Sequence, residues 1–272
     1  MTTNAWEDPS TLARRIRARS LQLTHRAGTS HVASALSCAD ILAVLYTSVM
    51  RHDPLEPTWP DRDRFIMGKG HAAVALYSCL SSAGYFPEEL LDSFGHDGSL
   101  LAGHVTAGVL PGVEISSGSL GHGLPQAVGI AQALQVQGSE SRVFCLLSDG
   151  DCQEGSTWEA VLLAPQWFLA RLHVVVDANG QQGLGRVKDI ADLEPFSDKW
   201  ASFGWDVEAV DGHDHGALDR ALSRVATRRP LVTIARTTKG KGVPYMEDRL
   251  EWHYRSPTPD ELHQALEALE RA

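Results

Sequence analysis

The sequence VFCLLSDGDCQEG, residues 143–155, joins an unbroken apolar run to a turn that is rich in acidic residues and glycine. An apolar run of this length that ends at turn residues is typical of a strand buried in a parallel sheet. A second such run, HVVVD at residues 173–177, leads into ANG at residues 178–180. Residues 157–168 between them have helical spacing, and Pro165 should kink or shorten that helix. The stretch therefore predicts a strand, a helix and a second, parallel strand.

The same alternation of strands and helices continues on both sides of this unit. Further strands are predicted at residues 64–67, 205–210 and 231–235. Further helices are predicted at residues 11–27, 38–50, from the GKGH of residues 68–71 to Leu80, at 124–134, at 217–227 and from Pro259 onward. Interleaved strands and helices indicate an α/β fold with a doubly wound, mostly parallel sheet. We expect residues 1–272 to form a single domain.

Composition and charge exclude several classes of protein. The 272 residues are 43% hydrophobic, which is ample for a buried core, and the formal net charge is −10. Nucleic acids and anionic membranes select basic surfaces, so neither is expected as a partner. No stretch reaches the roughly 18 consecutive apolar residues of a membrane span. The four cysteines lack CxxC spacing and predict reduced thiols. We expect a cytoplasmic protein, with a solvated face formed by Arg14, Arg15, Arg17 and Arg19.

Polar turns follow the predicted strands at the edge where ligands bind in open parallel sheets. Asp149 comes directly after the first apolar run, and Asn179 follows thirty residues later, after the second. A carboxylate, an amide oxygen and a nearby carbonyl form the all-oxygen set that Mg²⁺ prefers, and Gly150 would let the backbone approach a phosphate. Each turn alone is better explained as an ordinary DG or NG turn. Their combination favours a metal-diphosphate site.

The pattern GDG followed by asparagine about thirty residues later resembles the thiamine diphosphate motif, and a wider match resembles transketolases. The matching segments are SHVASALSCADILAVLY (30–46), GKGHAAVALY (68–77), AGH (102–104), PGVEISSGSLGHGLPQAVGIA (111–131), LSDGDCQEGSTWEA (147–160), VVDANGQQG (175–183), and KGKGVPYMED with WH (239–248 and 252–253). In order and spacing they resemble the amino-terminal, diphosphate-binding domain of that family, over nearly the whole chain.

The resemblance implies a cofactor site for thiamine diphosphate. It implies Mg²⁺, or Ca²⁺ or Mn²⁺ in its place, held by Asp149, Asn179 and the main-chain carbonyl of Gln181. The positions that it assigns to the cofactor are His71, Gly118, Leu120, Asp149, Gly150, Asp151, Glu154, Asn179, Lys239 and His253. Among these, Gly150 backs the diphosphate, Gly118 and Leu120 match the loop at the aminopyrimidine, and Glu154 matches an acid at the interface between paired active sites.

Four histidines match catalytic positions of the family: His31, His71, His104 and His253. Breaking a ketose C–C bond requires hydroxyl protons to move near neutral pH, where imidazole is suited to the task. The resemblance therefore implies transfer of a two-carbon ketol unit from a ketose phosphate donor to an aldose acceptor. Two alternatives stay open: delivery of the same unit to a lipoyl or carrier-protein arm, and a non-catalytic scaffold subunit.

The resemblance also implies a partner chain. Fused transketolases continue for two more domains beyond the WH motif, and the acid that acts on the pyrimidine ring comes from the domain that follows. This chain instead ends in a predicted amphipathic helix, DELHQALEALERA at residues 260–272. We expect a natural split, with a carboxy-terminal subunit completing a heterotetramer that acts on a small sugar, although a shortened chain is the other interpretation.

Three positions depart from the family pattern. Ser30 precedes His31 where glycine is usual, Val105 follows His104 where proline is common, and Tyr254 follows His253 where glycine is common. All three belong to loops on the substrate side of the expected site. Cofactor use is therefore the firmer expectation, and the identities of the sugar donor and acceptor the less firm one.

Overall fold

A five-stranded parallel sheet lies at the centre of the fold. The computed structural model describes residues 8–271. The strands of the sheet are β1 (Arg64–Met67), β2 (Val143–Ser148), β3 (Leu172–Ala178), β6 (Asp206–Asp211) and β7 (Leu231–Arg236). Their spatial order is β1-β2-β3-β7-β6, and every neighbouring pair is parallel. An antiparallel pair of two-residue strands, β4 (Gln181–Gln182) and β5 (Gly185–Arg186), follows β3. The predicted strands are all present, within one or two residues of their expected bounds.

Helices cover both faces of this sheet. They are α1 (Pro9–Ala27), α2 (Val32–Ser37), α3 (Ala39–Val44), α4 (Ala73–Ser82), α5 (Gly123–Val136), α6 (Gly155–Gln166), α7 (Val187–Ile190), α8 (Phe196–Ser202), α9 (His215–Leu222) and α10 (Pro259–Arg271). Alternate residues of β2 divide between the two faces: Phe144 and Leu146 pack with α1, α3, α4 and α9, while Cys145 and Leu147 pack with α5, α6 and α8. The predicted doubly wound α/β fold is confirmed.

Two predicted helices have different bounds in the structure. Residues 38–50 form α3 and then a π-helical turn, Leu45–Val49, rather than one continuous helix. Helix α9 begins at His215, because the Asp214 side chain accepts a hydrogen bond from the Ala217 N–H, and it ends at Leu222 instead of continuing to Thr227. Val225 is 67% exposed, so a longer helix would bury no further apolar side chain.

The carboxyl ends of β2, β3 and β7 lie side by side. In register, Ser148 faces Asp177, and Asp177 faces Ala235. The loops at residues 148–155, 177–183 and 237–242 therefore leave the sheet at the same edge, where open parallel sheets bind ligands. Within residues 8–271, no helix combines the length and the apolar character that crossing a membrane requires.

Candidate functional site

Asp149 and Asn179 occupy adjacent turns, one residue beyond β2 and one residue beyond β3. The Asp149 carboxylate accepts hydrogen bonds from the Gly180 N–H at 2.6 Å and from the Gly150 N–H at 3.0 Å. The Asn179 amide oxygen accepts one from the Gln181 N–H at 3.1 Å. The parallel register of the two strands thus brings the acidic turn against the asparagine turn.

Asp149 is a buried carboxylate without an ion-pair partner in the described part of the chain. It is 3% exposed, and burial, reinforced by the nearby Asp177 charge, raises its pKa to about 7. No ion pair to it is found among residues 8–271, because the two nearest ammonium groups are engaged elsewhere. A buried carboxylate is costly unless a cation compensates it. The site therefore fits a divalent ion, which oxygen ligands on the two turns would hold.

Neither crowding by the rest of the chain nor the backbone conformation explains why residue 150 is glycine. Its φ of −61° and ψ of −36° suit any residue, and a Cβ there would come no closer than 3.5 Å to the protein. Close approach of a ligand to the backbone is the remaining reason for glycine at this position. The described part of the chain contains no group of three or more His, Cys, Asp and Glu side chains that could hold a metal. The predicted ligand set for Mg²⁺ contains only one residue of these types, Asp149.

Asp151 and Glu154 follow the acidic turn and have different surroundings. The Asp151 carboxylate is fully buried and accepts hydrogen bonds from the Gly121 N–H at 2.9 Å and from the Ser148 N–H at 2.8 Å. It therefore holds the glycine-rich loop against the acidic turn. Glu154 is exposed at the start of α6, outside the cavity described below.

The four predicted histidines form one cluster around His31. The centre of its ring lies 4.8 Å from that of His253, 5.4 Å from that of His71 and 5.8 Å from that of His104. His31 has a left-handed backbone, φ 73°, and its N–H donates to the His253 carbonyl at 2.9 Å. Such a conformation is costly for a residue other than glycine and is commonly kept at functional sites.

Burial and neighbouring basic groups keep three of these imidazoles neutral. Burial is the main cause that lowers the pKa of His31 to about 4 and of His253 to about 3, and it brings that of His71 well below its usual range. Lys239 adds to the effect and contacts the His253 Nδ1 at 3.0 Å through its Nζ. Burial also lowers the pKa of Lys239, to about 8. Near pH 7 these three imidazoles are therefore neutral, and each ring carries one nitrogen that can accept a hydrogen bond.

A cavity of about 280 Å³ unites most of the predicted residues. Its lining includes His31, His71, His104, Gly118, Leu120, Asn179, Gln181, Lys239 and His253. Asp149 lines a neighbouring cavity of about 420 Å³, to which Asn179 also contributes. The asparagine turn therefore separates the two spaces, with the buried carboxylate on one side and the histidine cluster on the other.

Sequence reasoning missed a buried ion pair beside this cavity. Lys69 donates to the Asp177 carboxylate and, at 3.0 Å, to the Ser34 carbonyl, and the lysine and aspartate side chains are both fully buried. Burial alone would lower the pKa of Lys69, but Asp177 outweighs it and holds that pKa above its ordinary value. The lysine lies in GKGH, where the sequence predicts the start of a helix, but no local signal indicates its partner 108 residues away.

Comparisons with known proteins place these features in a wider group. Residues 9–270 match the family described as "Transketolase, thiamine diphosphate binding domain". The chain is 42% identical to an apulose-4-phosphate transketolase subunit of Actinobacillus succinogenes, over 88% of this chain and 87% of that protein. It is 36% identical to 6-deoxy-6-sulfo-D-fructose transketolase subunit SqwG of a Clostridium species, over 94% of each.

Solved structures show the same similarity in three dimensions. Transketolase from Leishmania mexicana superposes with a TM-score of 0.90 at 27% identity, and the alignment covers 97% of this chain and 41% of that chain. The chain therefore spans about two fifths of the length of that enzyme, whereas it is similar in length to the two bacterial proteins above.

Proposed function

Since this chain belongs to the transketolase family, we propose that it transfers a two-carbon ketol unit from a ketose phosphate to an aldose acceptor, with a carboxy-terminal partner subunit. Residues 9–270 match the thiamine diphosphate-binding domain, and relatives of similar length are named as transketolase subunits. The chain is accordingly a transketolase-type transferase that works with a partner subunit. The substrates and the arrangement of the subunits are the parts that we propose.

The observation that supports the chemistry best is the cavity in which four histidines and Lys239 meet the asparagine turn. We propose that Asp149, Asn179 and the main-chain carbonyl of Gln181 hold Mg²⁺, and that Gly150 lies against the diphosphate. Bound thiamine diphosphate supplies the carbon nucleophile and the electron sink that ketol transfer requires. The histidine side chains that line the cavity exchange hydroxyl protons with the sugar.

We propose that two copies of this chain and two partner subunits form a heterotetramer. The exposed position of Glu154 leaves it accessible to another chain.

One sheet with a core on each face supports a single diphosphate-binding domain. All four cysteines are free and buried, which agrees with work in the reducing cytoplasm.

Reconstitution with the partner tests this function. The purified pair should show ketol transfer that depends on thiamine diphosphate and Mg²⁺. Asp149→Ala should abolish Mg²⁺-dependent binding of thiamine diphosphate in calorimetry, because the diphosphate loses a ligand of its bridging metal. Asp198→Ala removes an exposed carboxylate of α8 and should bind like the wild type. Unchanged affinity in Asp149→Ala would refute the site.

A histidine variant separates cofactor binding from chemistry. His104→Ala should leave the affinity for thiamine diphosphate nearly unchanged but reduce kcat by about 10²- to 10⁴-fold, the contribution typical of general acid or base catalysis. Equal losses of binding and turnover would remove His104 from that role. Cofactor binding without turnover of any ketose by the wild-type pair would support a scaffold subunit instead.

A further inference from the structure

Tyr254 forms a hydrogen-bonded bridge at the edge of the 280 Å³ cavity that the histidine cluster lines. It directly follows the 3-10 turn Leu250–His253, and its hydroxyl donates to the Gly183 carbonyl at 2.7 Å. Gly183 belongs to the turn between β4 and β5, which begins beside the asparagine turn. One side chain therefore connects the segment that carries His253 to the segment that carries Gln181.

Gly183 and Tyr254 pack so closely that a side chain at residue 183 would not fit. A Cβ at Gly183 would lie 2.9 Å from the Tyr254 hydroxyl oxygen and 3.1 Å from the His253 Nε2, closer than ordinary van der Waals contact. The tyrosine ring also packs against the His253 ring, with centres 4.9 Å apart and planes at 70°. The glycine, the histidine and the tyrosine thus form a close-packed contact at the cavity edge.

Tyr254 lies between two cavities. It lines the 280 Å³ cavity that contains Lys239 and Asn179, and it also lines a second cavity of about 300 Å³. His31, His71 and His104 are the other residues common to both linings. These three imidazoles and the Tyr254 phenol thus form the boundary between the 280 Å³ cavity and the 300 Å³ cavity, which we call the outer cavity.

The outer cavity suits the hydroxylated carbon chain of a sugar. Its further lining residues are Gly28, Thr29, Ser30, Val74, Phe94 and Gly103, with no lysine or arginine. The Ser30 hydroxyl group and the three imidazoles of this lining are polar groups that can hydrogen-bond a ligand that carries hydroxyl groups.

On the basis of the function proposed above, we propose that Tyr254 is a specificity-determining residue that limits the length of the aldose acceptor. The phenol lies among the residues that the two cavities share, and its hydrogen bond to Gly183 holds it there. A short hydroxyaldehyde reaches the histidine cluster without contacting the ring. A longer aldose must extend past the ring into the outer cavity, and the ring restricts that path.

The test uses the enzyme reconstituted with its partner, thiamine diphosphate and Mg²⁺. Hydroxypyruvate serves as the ketol donor, and glycolaldehyde and ribose 5-phosphate serve as a short and a long acceptor. The measured quantity is the ratio of kcat/KM for ribose 5-phosphate to kcat/KM for glycolaldehyde. Tyr254→Gly should raise this ratio about tenfold, the size of effect that a change of pocket volume produces. Tyr254→Phe keeps the ring but loses the bond, and should raise the ratio less.

A second tyrosine provides a matched control. The Tyr245 hydroxyl also donates to a main-chain carbonyl, that of Glu261 at 2.5 Å, but it lines neither cavity. Tyr245→Phe should leave the ratio unchanged. Calorimetry supplies a second readout, because all three variants should keep the wild-type affinity for thiamine diphosphate.

The outcomes distinguish this inference from the function on which it rests. An active wild-type enzyme whose acceptor ratio is unchanged by Tyr254→Gly would overturn the role of Tyr254 and leave ketol transfer standing. A wild-type enzyme that transferred no ketol unit to either acceptor, from hydroxypyruvate or from a ketose phosphate, would overturn the proposed function and this inference with it. A Tyr254→Gly variant that lost thiamine diphosphate affinity would show that the bridge supports the cofactor site, and would also refute the proposed role.

Discussion

Replacing Lys69 by methionine should destabilise the chain strongly, because it leaves the Asp177 charge buried without a partner. The side chains of Lys69 and Asp177 are both 0% exposed. The aspartate also accepts hydrogen bonds from the hydroxyls of Ser37 and Thr237, so its carboxylate joins α2, β3 and the segment after β7. Methionine keeps most of the apolar length of lysine, so the main change is the loss of the ammonium group.

Removing one partner of a buried ion pair costs about 3–5 kcal/mol. An unfolding entropy of ~2.1 cal/mol/K per residue corresponds to ~0.57 kcal/mol/K for 272 residues. Dividing the first quantity by the second gives a fall in Tm of about 5–9 °C. An exposed ion pair would contribute about 1 kcal/mol or less. The size of the loss in unfolding free energy therefore distinguishes a buried pair from an exposed one.

Urea unfolding and differential scanning calorimetry of the purified chain measure this effect. Lys188→Met removes an exposed lysine of α7 and should change the free energy of unfolding by less than about 0.5 kcal/mol. Adding Asp177→Asn to Lys69→Met removes the uncompensated charge, so the double variant should be more stable than the single one. A loss below about 1 kcal/mol in Lys69→Met, or a double variant no more stable than the single, would refute the reasoning.

Two further stability predictions follow from the core. Burial lowers the pKa of His173 to about 3, so the unfolded chain, with a pKa of about 6.5, binds one more proton between these values, and stability falls as pH falls through that window. His173→Gln should therefore reduce the slope of unfolding free energy against pH by about 1.4 kcal/mol per unit between pH 6 and 4.5, and equal slopes would show that the native histidine is protonated. Gly123→Ala should cost about 1–3 kcal/mol, because its Cβ would lie 2.4 Å from the Gly68 Cα. Gly129→Ala, in the same helix with nothing within 4 Å, should gain about 0.4–1 kcal/mol in urea unfolding, and equal effects of the two would contradict the packing at Gly123.

Local sequence patterns predicted the elements of the sheet well. The apolar runs that became β2 and β3 are buried at every position, as a continuous run without alternation indicates. The turns after them placed Asp149 and Asn179 at one edge, because strands that are parallel neighbours end on the same side. Where a helix depends on more distant packing, local patterns were less reliable: residues 38–50 contain a π-helical turn that their spacing did not indicate.

Side chains whose partners are far away in the sequence were not predictable in the same way. Arg17 was expected on a solvated face of α1 with three other arginines, but it is 8% exposed and donates to the Asp40 carboxylate. His213 and His215 each contact the same carboxylate at 2.7 Å. A charged residue is exposed by default, and burial becomes tolerable only when such partners surround it.

The sequence by itself determined the class of fold, the edge of the sheet where the polar turns meet, and the residue types available there, because each depends on local periodicity or on turn chemistry. The tertiary structure decided which groups are desolvated and which meet: the histidine cluster, the ion pair of Lys69 with Asp177, and the contact of Tyr254 with Gly183. Desolvation and contact depend on elements far apart in the chain, and that information exists only once the sheet and its helices have packed.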